Sequence, residues 1–356
     1  LILKALILSG GTGTRLRPFT FTTTKQLLPV ANRPLLFYII DMVKQAGIKS
    51  AGIVVSTEWG NQVKQIVGDG SQWGITVEYI VQPDPTGLAD AVRISRHFLD
   101  NSPFMMVLGD NLYKFNVNKL LNQFDVFKAD AMVLLKGVQS PSGFGIAVMQ
   151  EDGKITDVQE KPRQPRSNLA IAGIYLFSPA IHQAIAEIKP SQRGELEISD
   201  AIQQLIISRH KVYGYLLDGW WLDTGNKDDL LKANRAAMDE YMQPVNSGIC
   251  DTASQISGKV AIGINTSVEN SKILGPVSIA ENCVIKNSQI GPYVSLGPET
   301  IVIDVSIENS IVLSNVSIKG FHSINSSIIG KKSSLDHDDK QKINSFSIGD
   351  CSKVNF

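Results

Sequence analysis

Cysteine is scarce in this chain: three in 356 residues, Cys250, Cys283 and Cys351, all in the last third. An odd, sparse set without metal-ligand spacing argues against a disulfide framework or a zinc module and suits reduced thiols in the cytoplasm. Charge of either sign in excess is also lacking, with Lys+Arg 34 against Asp+Glu 34. That excludes a nucleic-acid surface built on bulk charge but leaves room for a local cationic pocket. No apolar run approaches the length of a membrane span. The start, Leu1-Ile-Leu-Lys4, is too short for a signal peptide and leads straight into an apolar segment. The expectation is a cytoplasmic protein without nucleic-acid or membrane partners. What is present is an ordinary globular composition, 43% hydrophobic, at a length that suggests about two domains.

The most informative stretch runs from Ile2 to Pro29. Ile2 to Leu8 reads as a buried strand, followed at once by Gly10, Gly11 and Gly13. Glycines there allow positive φ and close ligand approach, and consecutive amides in such a loop form a nest for anions. Arg15 and Lys25 follow, one a planar fork and the other a point charge. A strand entering a glycine loop with two cations nearby is built to handle phosphate. It is not a Walker A loop, because Gly13-Thr14-Arg15 lacks the terminal Gly-Lys-Ser/Thr. Nor is it the dinucleotide fingerprint, because Leu16 stands where the third glycine belongs.

Up to about Met242 apolar strands alternate with helical segments. The pattern predicts strands at Gly52–Ser56, Thr76–Gln82 and Phe104–Leu108, with helices at Leu35–Gln45, Glu58–Val67 and Gly87–Leu99. Further strands are expected at Ala131–Val138, Gly145–Met149, Ile155–Glu160, Ala170–Phe177 and Lys211–Leu217, and helices at Ser178–Ile188, Leu196–Ser208 and Asn226–Tyr241. This is an α/β fold with a Rossmann-like mixed, mostly parallel sheet flanked by helices, whose ligands sit at the carboxyl ends of strands. Past Gln243-Pro244 helical periodicity stops. Asn270 to Asn287 is seventeen positions, as is Asn309 to Ser326. Ile273, Ile279 and Ile285 fall six apart, as do Ile290, Leu296 and Val302. A six-residue apolar step with three steps per turn predicts a parallel β-helix, with a small β-sandwich as the alternative. The domains are expected at 1–242 and 243–356. Lys331–Lys342 is expected to be a loop and Ile343–Phe356 a last strand pair.

Several acidic and basic residues stand at predicted strand ends. Asp110 follows an apolar strand and Asp223 lies in Trp221-Leu-Asp-Thr-Gly225. Magnesium wants few carboxylates plus ligand phosphates, which such a pair supplies; a helix N-cap is the plainer role for each. Lys161, beside Glu160, and Arg193, before a helix, suit a second phosphate, though singly they are surface charges. Gly145 and Gly173 lie in or beside strands where a ligand can come close. In Gln82-Pro-Asp-Pro-Thr-Gly-Leu-Ala89 the Gln82 amide can read a pyrimidine edge.

These motifs together resemble the sugar-1-phosphate nucleotidylyltransferase family, and within it the thymidylyl branch in its long form. The likeness is carried by Gly10-Gly-Thr-Gly-Thr-Arg-Leu16, Lys25-Gln-Leu-Leu-Pro29, Gly68-Asp-Gly-Ser-Gln-Trp-Gly74, Gln82 to Ala89, Leu108-Gly-Asp-Asn111, Glu160-Lys-Pro162, Arg193-Gly-Glu-Leu-Glu-Ile198 and Trp221 to Gly225. The resemblance implies transfer of thymidylyl from dTTP to α-D-glucose 1-phosphate, giving dTDP-glucose and pyrophosphate by in-line attack with Mg2+. It implies that Leu8, Gly10, Gly11, Gly13, Thr14, Arg15, Gln82, Gly87 and Asp110 bind the nucleotide. Arg15, Lys25 and Lys161 would be catalytic, and Asp110 and Asp223 would hold the metal. Gly145, Glu160, Lys161, Gly173, Tyr175 and Arg193 would bind the sugar phosphate. It also implies a left-handed C-terminal β-helix and a homo-oligomer. Asp90 stands where glutamine is frequent in the family, outside the positions given a role. Alternatives are a uridylyl or dual-specificity enzyme, since one methyl discriminates weakly. An added acyltransferase in the β-helix would need His322 or His337 as base. A non-catalytic nucleotide-sugar-binding regulatory subunit would show gaps among the charged residues, and none is missing.

Overall fold

The computed structural model describes residues 3–11, 13–321, 323–337 and 345–355. By compactness the chain forms two units, Leu1–Thr12 with Leu36–Trp221, and Gly13–Leu35 with Leu222–Phe356.

The first unit is built on a nine-stranded mixed sheet. Its strands are β1 (Lys4–Ser9), β2 (Ser50–Ser56), β3 (Thr76–Gln82), β4 (Phe104–Leu108), β5 (Ala131–Gly137), β6 (Gly145–Met149), β7 (Ile155–Glu160), β8 (Leu169–Phe177) and β9 (Val212–Leu216). The order is β7-β6-β8-β4-β1-β2-β3, with β5 pairing β8 and β9. β1 lies parallel between β2 and β4, with Leu6 opposite Gly52 and Met106. β8 runs antiparallel to β4, β5 and β6. The half built on β1 to β4 is therefore parallel and the second half mixed. Strands covered on both faces read as continuous apolar runs, and Ala5, Leu6 and Ile7 are fully buried. Helix α1 (Leu35–Gln45) buries Leu35, Leu36, Ile39, Ile40 and Val43, the stripe expected of a 3.6-residue period.

Three sequence expectations are corrected. The helix over 87–99 is two, α2 (Leu88–Ile94) and a single turn Arg96–Leu99, because Ser95 turns its hydroxyl back onto Ala91 O at 2.7 Å. A helix not expected at all, α3 (Val117–Phe127), is capped by Asn116, which accepts from Asn118 N. Its buried Val117, Leu120 and Phe124 stand at i, i+3 and i+7, the stripe of an amphipathic helix. Ser334–Asp336 is a strand rather than part of a loop, since Leu335 is fully buried and pairs with Ile318 and Val354. The rest of that expected loop, from 338, and Ile343 lie outside the described residues. The expected final strands appear as Ser347–Ile348 and Lys353–Asn355.

The second unit is a parallel β-helix of three sheets, two of seven strands and one of five, in the triangular section of the left-handed class. Val260, Val277 and Val294 stack in register, seventeen residues apart. Ile273, Ile279 and Ile285 lie on the three sides of one coil, all essentially buried. Two sides take six residues and the third five, so the apolar step and the seventeen-residue repeat are one fact. Asn265, Asn270, Asn282 and Asn287 all have positive φ, which asparagine tolerates well at such corners. The helix Lys227–Glu240 and the segment from Gly13 to Leu35 belong to the same unit. Among the described residues no helix is long and apolar enough to cross a membrane.

Candidate active site

In the first unit the candidate residues gather at strand ends. Leu8 and Ser9 close β1 and lead into Gly10 and Gly11; Leu8 is buried. Gln82 closes β3 and is buried. Its Nε2 donates to Asp90 Oδ2 at 2.9 Å and to Gly87 O at 3.2 Å. Gly87 has φ 113°, and a Cβ there would lie 2.3 Å from Leu196 O. Only glycine lets this loop sit against Leu196, whose amide donates to Thr86 O at 2.7 Å. The Gln82–Gly87 loop and the Arg193 loop are thereby tied together.

Asp110 follows β4 and precedes the short strand Asn111–Lys114, so it caps no helix. Asn111 is 1% exposed and its Oδ1 has no partner. Gly173, with φ 76°, faces it: an added Cβ would meet Asn111 Nδ2 at 2.8 Å.

Glu160, at the end of β7, divides its two oxygens. Oε2 accepts from Ser199 Oγ at 2.6 Å; Oε1 faces Arg193 Nη2 at 3.4 Å and Lys161 Nζ at 3.7 Å. Arg193 also donates from Nε and Nη2 to the buried Glu197 at 3.1 and 2.7 Å. Glu195 lies 3.6 Å from the same guanidinium. These carboxylates raise the Arg193 pKa although burial opposes them. Lys161 sits at φ 40°, an uncommon conformation for a residue with a side chain and one that collects at functional sites. A Cβ at Gly145 would come within 2.9 Å of Ser199 Oγ and 3.2 Å of Glu160 Oε2, so the glycine leaves that carboxylate its place. Tyr175 is in the core, stacked on Phe177 at 5.8 Å. Burial first, and Glu160 second, push its phenol far up.

In the second unit, Gly13 (φ 61°) opens the 3-10 turn Thr14–Leu16. A Cβ there would lie 2.9 Å from Thr20 Cγ2 and 3.3 Å from Lys25 Cβ. The Arg15 guanidinium lies over Gly225. Lys25 is 6% exposed and its Nζ is 3.3 Å from Asp223 Oδ1. The helix Lys227–Glu240 is capped by Asn226, which accepts from Asp229 N at 3.0 Å. Asp223 is thus no N-cap, and the plainer role weighed for it does not apply.

Sequence reasoning missed Thr86, Asp90, Glu197 and Ser199, which carry the hydrogen bonds that fix Gln82, Arg193 and Glu160. It also missed Asn32. Ala31 and Asn32, both at positive φ, form a two-residue hairpin turn between Val30 and Arg33. Asn32 Nδ2 donates to Ser278 O, Ser278 Oγ and Leu296 O at 2.9–3.0 Å, while Asn234 Oδ1 accepts from Ala31 N at 2.7 Å and Ser295 Oγ at 2.6 Å. The segment bearing Arg15 and Lys25 is bolted to the β-helix. An asparagine in a two-residue turn was the available signal. His337 is buried edge-on against Phe321; His322 lies outside the described residues.

Among the described residues no group of three or more His, Cys, Asp or Glu is placed to hold a metal. A caged ion is not what this donor set is built for. Magnesium, which takes one or two carboxylates beside phosphate oxygens and water, fits it.

A nucleotidyl transferase family model matches residues 4–240, and the chain belongs to that family. A model described as the GMPPB C-terminal domain matches residues 273–350. The chain is 44% identical to a glucose-1-phosphate thymidylyltransferase from Streptomyces griseus over 92% of both chains. It is 41% identical to one from Streptomyces antibioticus over 99% of both. A crystal structure from Bacillus anthracis, provisionally named a glucose-1-phosphate thymidylyltransferase and holding a sucrose, superposes with a TM-score of 0.62. It shares 36% identity and covers 66% of this chain and 95% of that one.

Proposed function

We propose that this chain is a glucose-1-phosphate thymidylyltransferase: it transfers thymidylyl from dTTP to α-D-glucose 1-phosphate, giving dTDP-glucose and pyrophosphate. The observation that carries this reading is the 41–44% identity to two enzymes of that name over nearly the whole chain. The Gln82 loop and the Glu160–Arg193 cluster support it, because one suits a base and the other a phosphorylated sugar.

In this reading a phosphate oxygen of the sugar attacks the α-phosphorus in line and pyrophosphate leaves, with no covalent enzyme intermediate. Catalysis is positioning plus charge stabilisation. Leu8, the amides of Gly10, Gly11, Gly13 and Thr14 and the Arg15 fork hold the triphosphate, and Lys25 bears on the transferred phosphate. Gln82 and Gly87 read the base. Lys161 and Arg193 hold the sugar phosphate, while Glu160, Gly145, Gly173 and Tyr175 serve the sugar. Mg2+, when bound, offsets phosphate charge, and Asp110 and Asp223 are the residues proposed to hold it. By function we divide the chain at Met242 into a catalytic domain and a β-helix domain, and we place the enzyme, as a homo-oligomer, in the cytoplasm.

A pyrophosphate-release assay tests the reading by crossing dTTP, UTP, CTP, ATP and GTP with glucose 1-phosphate and N-acetylglucosamine 1-phosphate. dTTP with glucose 1-phosphate should give the highest kcat/KM. Preference for UTP with the acetylated sugar, or no turnover, would overturn it.

A further inference from the structure

A glutamine amide carries a donor end and an acceptor end, and nothing in the residue itself says which end meets a ligand. At Gln82 the surroundings decide. Asp90 is 3% exposed. Its Oδ1 is gripped by the Arg93 fork, at 2.9 Å from Nε and 2.5 Å from Nη2. Its Oδ2 accepts from the Thr86 hydroxyl and from Gln82 Nε2. Burial would raise this carboxyl, yet the hydrogen bonds from Thr86, Gln82 and Arg93 and the Arg93 charge hold it below the ordinary range. It is ionised at neutral pH and can only accept. Gly87 O, also an acceptor, takes the same Gln82 nitrogen.

Two acceptors at one end of the amide forbid the flipped orientation, which would set Oε1 against a carboxylate and a carbonyl. Gln82 Oε1 is therefore turned the other way. It lies 3.5 Å from where a Cβ on Gly10 would stand, and it accepts no hydrogen bond among the described residues. Both amide hydrogens are used inside the protein, so what Gln82 offers a ligand is a bare acceptor.

We infer that Asp90 is a positioning residue that makes the chain select pyrimidines bearing an N3–H, thymine and uracil, against cytosine. Thymine and uracil place a donor at N3; cytosine places a lone pair there. A site polarised to pair with one hydrogen-bonding group discriminates strongly against a partner that cannot supply its complement. The methyl of thymine is a separate and weaker matter, outside this device. The inference rests on the base-reading role proposed for Gln82.

Asp90→Asn tests it. Arg93 holds the oxygen of the new amide, so its NH2 replaces Oδ2 and Gln82 must invert to accept from it. Initial rates with glucose 1-phosphate give kcat/KM for dTTP, UTP and dCTP in both proteins. The ratio of dTTP to dCTP should fall at least about tenfold, with UTP following dTTP and kcat for dTTP changing less than KM. A parallel fall for all three nucleotides, or an unmoved ratio, would mean that Asp90 is merely structural and would overturn the inference alone. A wild-type protein that turns over no pyrimidine triphosphate would overturn the functional reading and this inference with it. Thermal unfolding is followed alongside. If Asp90→Asn does not fold, Asp90→Ala, which removes the acceptor that fixes Gln82, is read by the same ratio.

Discussion

The two units bury polar groups in opposite ways. In the β-helix a hydroxyl recurs at the same corner, coil after coil. Ser254 Oγ accepts from Ser271 N, Ser271 Oγ from Ser288 N, and Ser288 Oγ from Val305 N, all at 3.0–3.2 Å. Ser310 and Ser327 repeat the device on another edge. Even the buried Cys283 thiol takes a hydroxyl's place, donating to Gly297 O at 3.3 Å, and burial pushes its pKa up. In the α/β unit no such repetition exists. The four buried polar atoms without a partner among the described residues, on Ser9, Asn111, His182 and Trp221, all lie there. A repeat solves the satisfaction problem once and reuses the answer. A site made of unique parts leaves atoms over, and such atoms call for an explanation. Asn111 and Ser9 stand beside proposed site residues, which supplies one.

That contrast can be broken at several points. Asp110→Asn should have the largest effect, a loss of turnover on the order of 10³-fold with magnesium, while the unfolding midpoint stays put. Near-normal activity would remove the metal assignment. Ile285→Ala, fully buried on one side of the β-helix, should cost about 2–5 kcal/mol in denaturant unfolding, with the folded fraction still active. If activity per folded molecule fell instead, the β-helix would not be mere support. Asn32→Ala asks that question directly. Losing its hydrogen bonds to Ser278 and Leu296 should cost about 2 kcal/mol and lower kcat, since the Lys25 segment is held there. An unchanged kcat would show that the anchoring does not matter to the chemistry. Ser271→Ala should cost about 1 kcal/mol, because one rung of the ladder goes and Ser288 N loses its acceptor.

His182 offers an effect with a sign. Burial, with help from Arg96, lowers its pKa from 6.5 to about 4. Between those values the unfolded chain is protonated and the folded one is not. Stability present above 6.5 is therefore lost as pH falls toward 4. His182→Phe should flatten the denaturant midpoint across that window. A slope as steep as the wild type's would place the titration elsewhere.

Much of this was legible beforehand, for reasons that differ by region. β3, β4, β6 and β7 match their expected spans because apolar runs between turn residues leave few alternatives. The β-helix was visible because seventeen-residue stacking forces Ile and Val into fixed steps. Helix α3 was overlooked although Val117, Leu120, Leu121 and Phe124 keep the i, i+3, i+4, i+7 spacing of one apolar face, with Lys119, Asn122 and Gln123 on the other. In the candidate site, the glycine loop, Lys25, Glu160 and Arg193 could be found from residue type and spacing. Their hydrogen-bond partners could not. Asp90 looked like a departure without consequence; it is the residue that orients Gln82.

The order of residues by itself determined which segments would be strands, where the coil repeat begins, and which charged groups could serve a phosphate. Those properties are local: they depend on neighbours a few positions away or on a constant period. Only tertiary structure decided that Ser199 would hold Glu160, thirty-nine positions distant, or that Asn32 would bond to Leu296 across 264. A hydrogen bond reaches about 3 Å in space and is blind to distance along the chain. Which donor meets which acceptor is therefore settled by packing.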